Sequence, residues 1–191
     1  MKKDKDVFYT TKNNKVAHFD PNKQNKTKNA KPWEAMNRNG KILKKTITIP
    51  KNAYSKEEPE YEEGYKKEYK SNEIKSAKFA QKLTGKKVKL LTEKKENTFN
   101  PDANIEGKYV DFKNPEPKSK HGIDTLTRHG LEQINYFGKE NAGFVFHEAD
   151  SVQKNKAQIN KQVIGRMARS KDKNGYVIVK KKDKLFIYRR K

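Results

Sequence analysis

Cysteine is absent from the 191 residues, which excludes disulfides and every thiolate metal site. Acidic residues are scarce beside basic ones: 24 Asp and Glu against 46 Lys and Arg give a formal charge of +22. That imbalance exceeds what solubility needs and favours a polyanionic partner, nucleic acid first among them. A solvated, Lys-rich surface accounts for some of the lysine, but less easily for so large a surplus. Apolar residues are also few, 31% against 37% charged, so the core is expected to be concentrated in part of the chain. No apolar run approaches the length of a transmembrane helix. The basic start Met1-Lys2-Lys3-Asp4-Lys5-Asp6 has no apolar segment behind it and does not read as a secretory signal. The lack of cysteine is compatible with the cytoplasm.

The chain divides into three stretches. Residues 1–40 are rich in Lys and Asn, with one short apolar patch at Val7-Phe8-Tyr9, and read as a basic, flexible segment. Such an arm raises nucleic-acid affinity without specificity. Residues 41–70 read as a connector with one strand, from Lys41 to Ile49 and ended by Pro50, and an acidic stretch from Glu57 to Glu63. That acidic stretch fits a helix start, a linker, or a surface folded back on basic residues. From Ser71 the periodic signals strengthen. Ser71 or Asn72 caps a helix through about Thr84, stopped by Gly85, with Ile74, Ala77, Ala80 and Leu83 as its apolar stripe. A strand at 87–91 and a hairpin at 100–113 follow, and Asn114-Pro115-Glu116-Pro117 breaks the run. Helices are expected at 123–137, with Ile123, Leu126, Ile134 and Phe137 on one side, and at 153–169, with Ile159, Val163 and Met167 spaced by four. Gly130 is a weak point in the first. Strands are expected at 143–147, 176–179 and 185–188. This order predicts an α/β (α+β) domain over 71–191, a mixed central β-sheet flanked by helices.

The richest segment runs from Asn100 to Lys113. Glu106-Gly107 suits a two-residue hairpin loop. With that loop, Ile105 faces Lys108, Asn104 faces Tyr109, and Asp102 faces Asp111. Alternation puts Asp111 and Lys113 on one face and Phe112 on the other. Two carboxylates and an ammonium then crowd one patch. Directly opposed like charges destabilise a bare sheet. A divalent cation would turn that cost into a binding site, because hard cations take carboxylate oxygens. Two acids holding a metal with a lysine beside the attacking water is an arrangement for metal-assisted hydrolysis.

Pro101-Asp102 followed by Asp111-Phe112-Lys113, set in a helix–strand–hairpin–helix–strand order over 71–148, resembles the PD-(D/E)XK nuclease superfamily. The whole stretch 71–191 is similar to the nuclease domains at the C-termini of contact-dependent growth inhibition toxins, which cleave tRNA or DNA. The resemblance implies a restriction-endonuclease-like core and a metal-dependent endonuclease. It implies Mg²⁺ or Mn²⁺ held by Asp102 and Asp111, with the Phe112 carbonyl as a further ligand, and Lys113 orienting the water and stabilising charge on the phosphate. Many relatives add a helix glutamate, here Glu73; the alternative for Glu73 is a first-turn acid favoured by the helix dipole. Gln133 matches a polar residue that some relatives turn toward the site, or is simply solvated. Action in the cytoplasm, delivery to a target cell as a toxin and an acidic immunity protein over the basic cleft follow from the same resemblance. The initial Met and the length suit a free-standing protein, so a phage or mobile-element nuclease is equally compatible.

Other residues weigh less. Arg166 and Arg169, three apart on one helix near Lys161, suit phosphate contacts or a charged outer face. Lys181 and Lys182 make the C-terminal hairpin basic, with Tyr176, Phe186 and Tyr188 interleaved as core residues or as base-stacking aromatics. His121, His129 and His147 invite a metal-independent ribonuclease, but none has a catalytic partner by spacing. Two other functions therefore stand beside the nuclease: a non-enzymatic nucleic-acid-binding protein on the same fold, and a histidine-based ribonuclease toxin.

Overall fold

In a computed structural model, residues 9–12, 15–18, 33–49, 51 and 53–191 are described. The expectations for Pro50 and for most of 1–32 lie outside these residues. Within that stretch, β1 (Tyr9–Lys12) and β2 (Lys15–His18) pair antiparallel, apart from the main sheet.

The main sheet follows from β3 (Glu34–Ala35), β4 (Ile42–Thr48), β5 (Glu60–Tyr61), α1 (Ser71–Thr84), β6 (Lys89–Leu90), β7 (Ala103–Ile105), β8 (Lys108–Lys113), α2 (Gly122–Asn135), β9 (Ala142–Glu148), α3 (Lys156–Arg169), β10 (Tyr176–Lys181) and β11 (Lys184–Arg190). Nine strands lie in the order β3-β4-β11-β10-β9-β8-β7-β6-β5. The centre, β8-β9-β10, is parallel, and hairpins extend it on both sides, β10 into β11 and β8 into β7. The chain is thus an α/β protein with a mixed sheet and, among the described residues, three α-helices.

Period-two alternation sends successive side chains to opposite faces, and each face has its own core. On one side Val110, Phe112, Phe144, Phe146 and Ile178 meet Ala77, Phe79 and Ala80 of α1. Phe79 stacks on Phe146 with centroids 5.0 Å apart. On the other, Val145, Val177 and Val179 meet Ile123, Leu131 and Ile134 of α2 and Ile159, Val163 and Met167 of α3. Full burial of such side chains is worth about 1.5–3 kcal/mol each, which lets a lean core hold a lysine-rich surface.

The expected connector, 41–70, belongs to this sheet: β4 pairs with β11 from Ile42 to Thr48, and β5 pairs with β6. The acidic stretch folds back on basic residues, with Glu58 paired to Lys78 at 2.5 Å and Glu57 to Lys87 at 3.9 Å, while Glu62 accepts from Thr92 N at 2.7 Å. Several boundaries differ from the sequence reading. Lys70, not Ser71 or Asn72, occupies the start of α1, with no side-chain cap, while Gly85 ends it at φ 68° as expected. A reciprocal capping box between Asn155 and Gln158 starts α3 at Lys156 rather than 153. Helix α2 stops at Asn135, whose Nδ2 donates to Leu131 O and to Asn174 O. Phe137 therefore lies beyond the helix and is 40% exposed, not part of its core stripe.

Gly130 has a packing reason. A Cβ there would stand 2.5 Å from Val145 Cγ1 and 2.7 Å from Cγ2. Gly130→Ala gains roughly 1 kcal/mol of helix propensity. The overpacking against a stiff β-branched side chain costs about 1–3 kcal/mol. The clash is expected to win, lowering the denaturation midpoint, as a urea titration followed by circular dichroism would read.

Candidate active site

The site is built by the β7–β8 hairpin. Glu106 and Gly107 both take positive φ, 49° and 88°, the pattern of a type I′ loop whose twist suits paired strands. Asn104 Oδ1 accepts from Gly107 N at 2.9 Å and locks the turn. The register follows: Ile105 opposite Lys108, Asn104 opposite Tyr109, Ala103 opposite Val110. Continued by one residue past β7, it sets Asp102 beside Asp111. There β7 no longer supplies ladder partners, and Asp102 Oδ2 accepts from Phe112 N at 2.7 Å instead. Strand β8 runs parallel to β9 with Lys113 beside His147.

The electrostatics are strained. Asp111 is 1% exposed. Its Oδ2 lies 2.6 Å from Lys113 Nζ, a close ion pair, but no aligned hydrogen bond reaches that buried oxygen. Burial pushes the Asp111 carboxyl above its usual range, against the lowering pull of Lys113. Asp102 keeps some exposure as a residue, yet its carboxyl lies in the low-dielectric junction. Burial raises it well above the usual range, and the charges of Asp111 and Glu73 add to the rise. The two carboxyls therefore favour sharing a proton when nothing positive sits between them.

Glu73 is near enough to bear on both aspartates, but its oxygens are engaged. Tyr65 OH donates to Oε2 at 2.9 Å, and Lys70 Nζ to Oε1 at 2.8 Å. Lys70 also reaches Glu93 at 3.0 Å. Tyr65 and Lys70 border the candidate site through Glu73 and are residues that the sequence did not single out. The ring of Phe112 is packed edge-on against Phe146, which leaves its backbone to the site.

Among the described residues no three His, Asp or Glu side chains converge into a ready cation cage. The fit to Mg²⁺ or Mn²⁺ rests on two carboxylates. Asp102 and Asp111 repel each other, and one Asp111 oxygen lacks an aligned donor. Mg²⁺ commonly uses one or two carboxylates and keeps several waters, so this donor set suits it.

His147 is fully buried, its Nε2 2.9 Å from Thr127 Oγ1 and its Nδ1 without a hydrogen-bond partner. Burial, with Lys113 nearby, pushes it down to about 3, so it is neutral near pH 7. His121 and His129 are exposed. Gln133 is not freely solvated: its Oε1 is buried without a hydrogen-bond partner.

The other basic candidates lie on other elements. Arg166 forks onto Asp124 at 2.7 and 3.2 Å, and Arg169 reaches the same carboxylate at 3.2 Å, so the two arginines share one acid. Lys181 Nζ donates to Val152 O, and Lys182 sits exposed at the β10–β11 turn with its N–H on Asp150. Phe186 and Tyr188 belong to the core under α2 and α3, and Tyr176 packs against the core on the opposite face of the sheet.

No family model matches the chain, and no curated protein or solved structure matches it either. No helix among the described residues is long and apolar enough to cross a membrane.

Proposed function

We propose that the chain is a metal-dependent nuclease with a restriction-endonuclease-like core, hydrolysing phosphodiester bonds in RNA or DNA. The observation that carries this reading is the junction of Asp102, Asp111 and Lys113, where buried like charges meet an ammonium. Asp102 and Asp111 would hold Mg²⁺ or Mn²⁺, with the Phe112 carbonyl as a further ligand. When bound, the cation supplies Lewis-acid polarisation of the phosphate and a more acidic water. Lys113, tethered by Asp111, presents positive charge where the phosphate gains negative charge in the transition state. The Phe112 N–H holds Asp102 in place. Glu73, clamped by Tyr65 and Lys70, adds negative potential that attracts a proton and, by its higher charge, a dication more strongly. The net charge of +22 draws the polyanion to the surface.

The test is cleavage of labelled tRNA and of plasmid DNA in Mg²⁺, Mn²⁺ or EDTA, with wild type and Asp111→Ala side by side. Metal-dependent cutting that disappears in the variant is expected. Cutting that survives both EDTA and the substitution would overturn the reading. So would tight binding by both proteins with no cutting.

A further inference from the structure

Among the described residues, three large hydrophobic side chains are exposed, and two of them, Tyr136 and Phe137, are neighbours at 47% and 40%. They do not stand alone. Tyr136 and Phe137 lie edge to face with centroids 4.9 Å apart, Phe99 touches Tyr136 at 5.5 Å, and Phe137 leans on Tyr109 at 4.8 Å. Four rings from three segments thus form one aromatic cluster, with Tyr136 and Phe137 exposed and Phe99 and Tyr109 half-buried. Such patches mark binding sites rather than folding necessities.

Its surroundings indicate the occupant. A groove of about 280 Å³ runs beside Tyr109 and Phe137 and is walled by Asn104, Pro101, Lys89 and Lys94. Both lysines are exposed. The acid in the wall, Glu62, has its carboxylate on Thr92 N, which softens its effect on an incoming anion. Pro101 and Asn104 flank the Asp102 strand end. Tyr109 precedes Asp111 by two residues on the same face of β8, about 7 Å along the strand. That is close to one nucleotide step of an extended strand. Aromatic faces, cations beside them and the carboxylate pair one step away match a nucleotide whose base is free to stack. A base inside a duplex has both faces occupied and offers none to the protein.

We propose that this groove is a stacking subsite for an unpaired nucleobase, which sets the adjoining phosphodiester at Asp102 and Asp111. It deepens the nuclease reading and rests on it for the second clause: the substrate class becomes single-stranded or looped nucleic acid. The lysines bind phosphates of any strand, and the rings select strands whose bases are free.

The test is fluorescence anisotropy in EDTA with a short, unstructured, labelled oligoribonucleotide, alone and annealed to its complement. Wild type is compared with Tyr136→Ala/Phe137→Ala and with Tyr136→Phe/Phe137→Tyr. The alanine pair should weaken single-strand binding about tenfold or more and leave duplex binding unchanged. The aromatic swap should keep wild-type affinity, which separates stacking from a fold defect. Equal losses on both probes would overturn the proposal. No loss on either would also overturn it and make the patch a protein-docking face. Because EDTA removes cleavage from the assay, a protein that never cuts but shows the selective loss sinks only the nuclease reading. One that cuts normally without that loss sinks only the subsite.

Discussion

Asp102→Asn should melt at a higher temperature than the wild type in EDTA and should lose cleavage by about a thousandfold or more, some 4 kcal/mol of barrier. Asparagine is nearly isosteric with aspartate, and its Oδ1 can still accept from Phe112 N, so the hydrogen bond that positions residue 102 survives. The Asp111–Lys113 pair is untouched. What disappears is a desolvated carboxyl facing Asp111 and Glu73. Opposed like charges on a sheet cost roughly 0.2–1 kcal/mol when exposed, and burial enlarges the cost. For a chain of this size about 1 kcal/mol moves the midpoint by roughly 2–4 °C. The pH dependence has a definite sign. In the wild type the folded carboxyl holds its proton above the pH at which the unfolded chain has released it. The folded state then binds more protons, so stability falls as pH rises through that window and levels off above the raised folded value. The asparagine variant lacks this loss. The gap between the two melting curves should therefore widen from about pH 4 upward. A variant that melts lower, with a gap independent of pH, would remove the strain from the account.

That strain was legible because it depends on short-range rules. A two-residue loop at Glu106-Gly107 and strict alternation fix which residues oppose, so Asp102, Asp111 and Lys113 come together from sequence alone. The stop at Gly85 and the stripe Ile159, Val163, Met167 are equally local. Other features are not. Strands β3 and β5 have two residues each, too few for any periodicity, and exist because long-range neighbours accept their hydrogen bonds; β6 is expected at 87–91 and is shorter, Lys89–Leu90. The strand at 42–48 was visible, but not its place beside β11, some 140 residues away in the chain. The clamp of Tyr65 and Lys70 on Glu73 depends on where the 3₁₀ turn at Lys67–Tyr69 meets α1. The aromatic surface was hidden for a related reason. Phe137 continues the apolar spacing of α2, and periodicity cannot tell that Asn135 ends the helix two residues earlier. Tyr109 gave no signal until Phe137 was placed against it.

Lys113→Met should separate binding of the metal from chemistry. Lys113 is the near counter-ion of a carboxylate that is 1% exposed, so two roles compete for it. As a purely structural counter-ion, its loss would leave Asp111 uncompensated, and a divalent cation would supply the missing charge. Saturating Mn²⁺ would then restore both stability and cleavage. As the group that meets charge on the phosphate, its loss is not repaired by the metal, and kcat should stay down by about a hundred- to a thousandfold, the usual cost of removing one oxyanion donor. Coulomb's law gives the metal the opposite response. Removing a positive charge 2.6 Å from Asp111 Oδ2 strengthens the pull of that carboxylate on a dication. The Mn²⁺-dependent rise in melting temperature, which reports affinity by mass action, should therefore be equal to or larger than that of wild type. The result expected is tighter metal binding with slower turnover. Full recovery of cleavage at saturating Mn²⁺ would assign Lys113 to structure alone and leave the chemistry to the cation and the two aspartates.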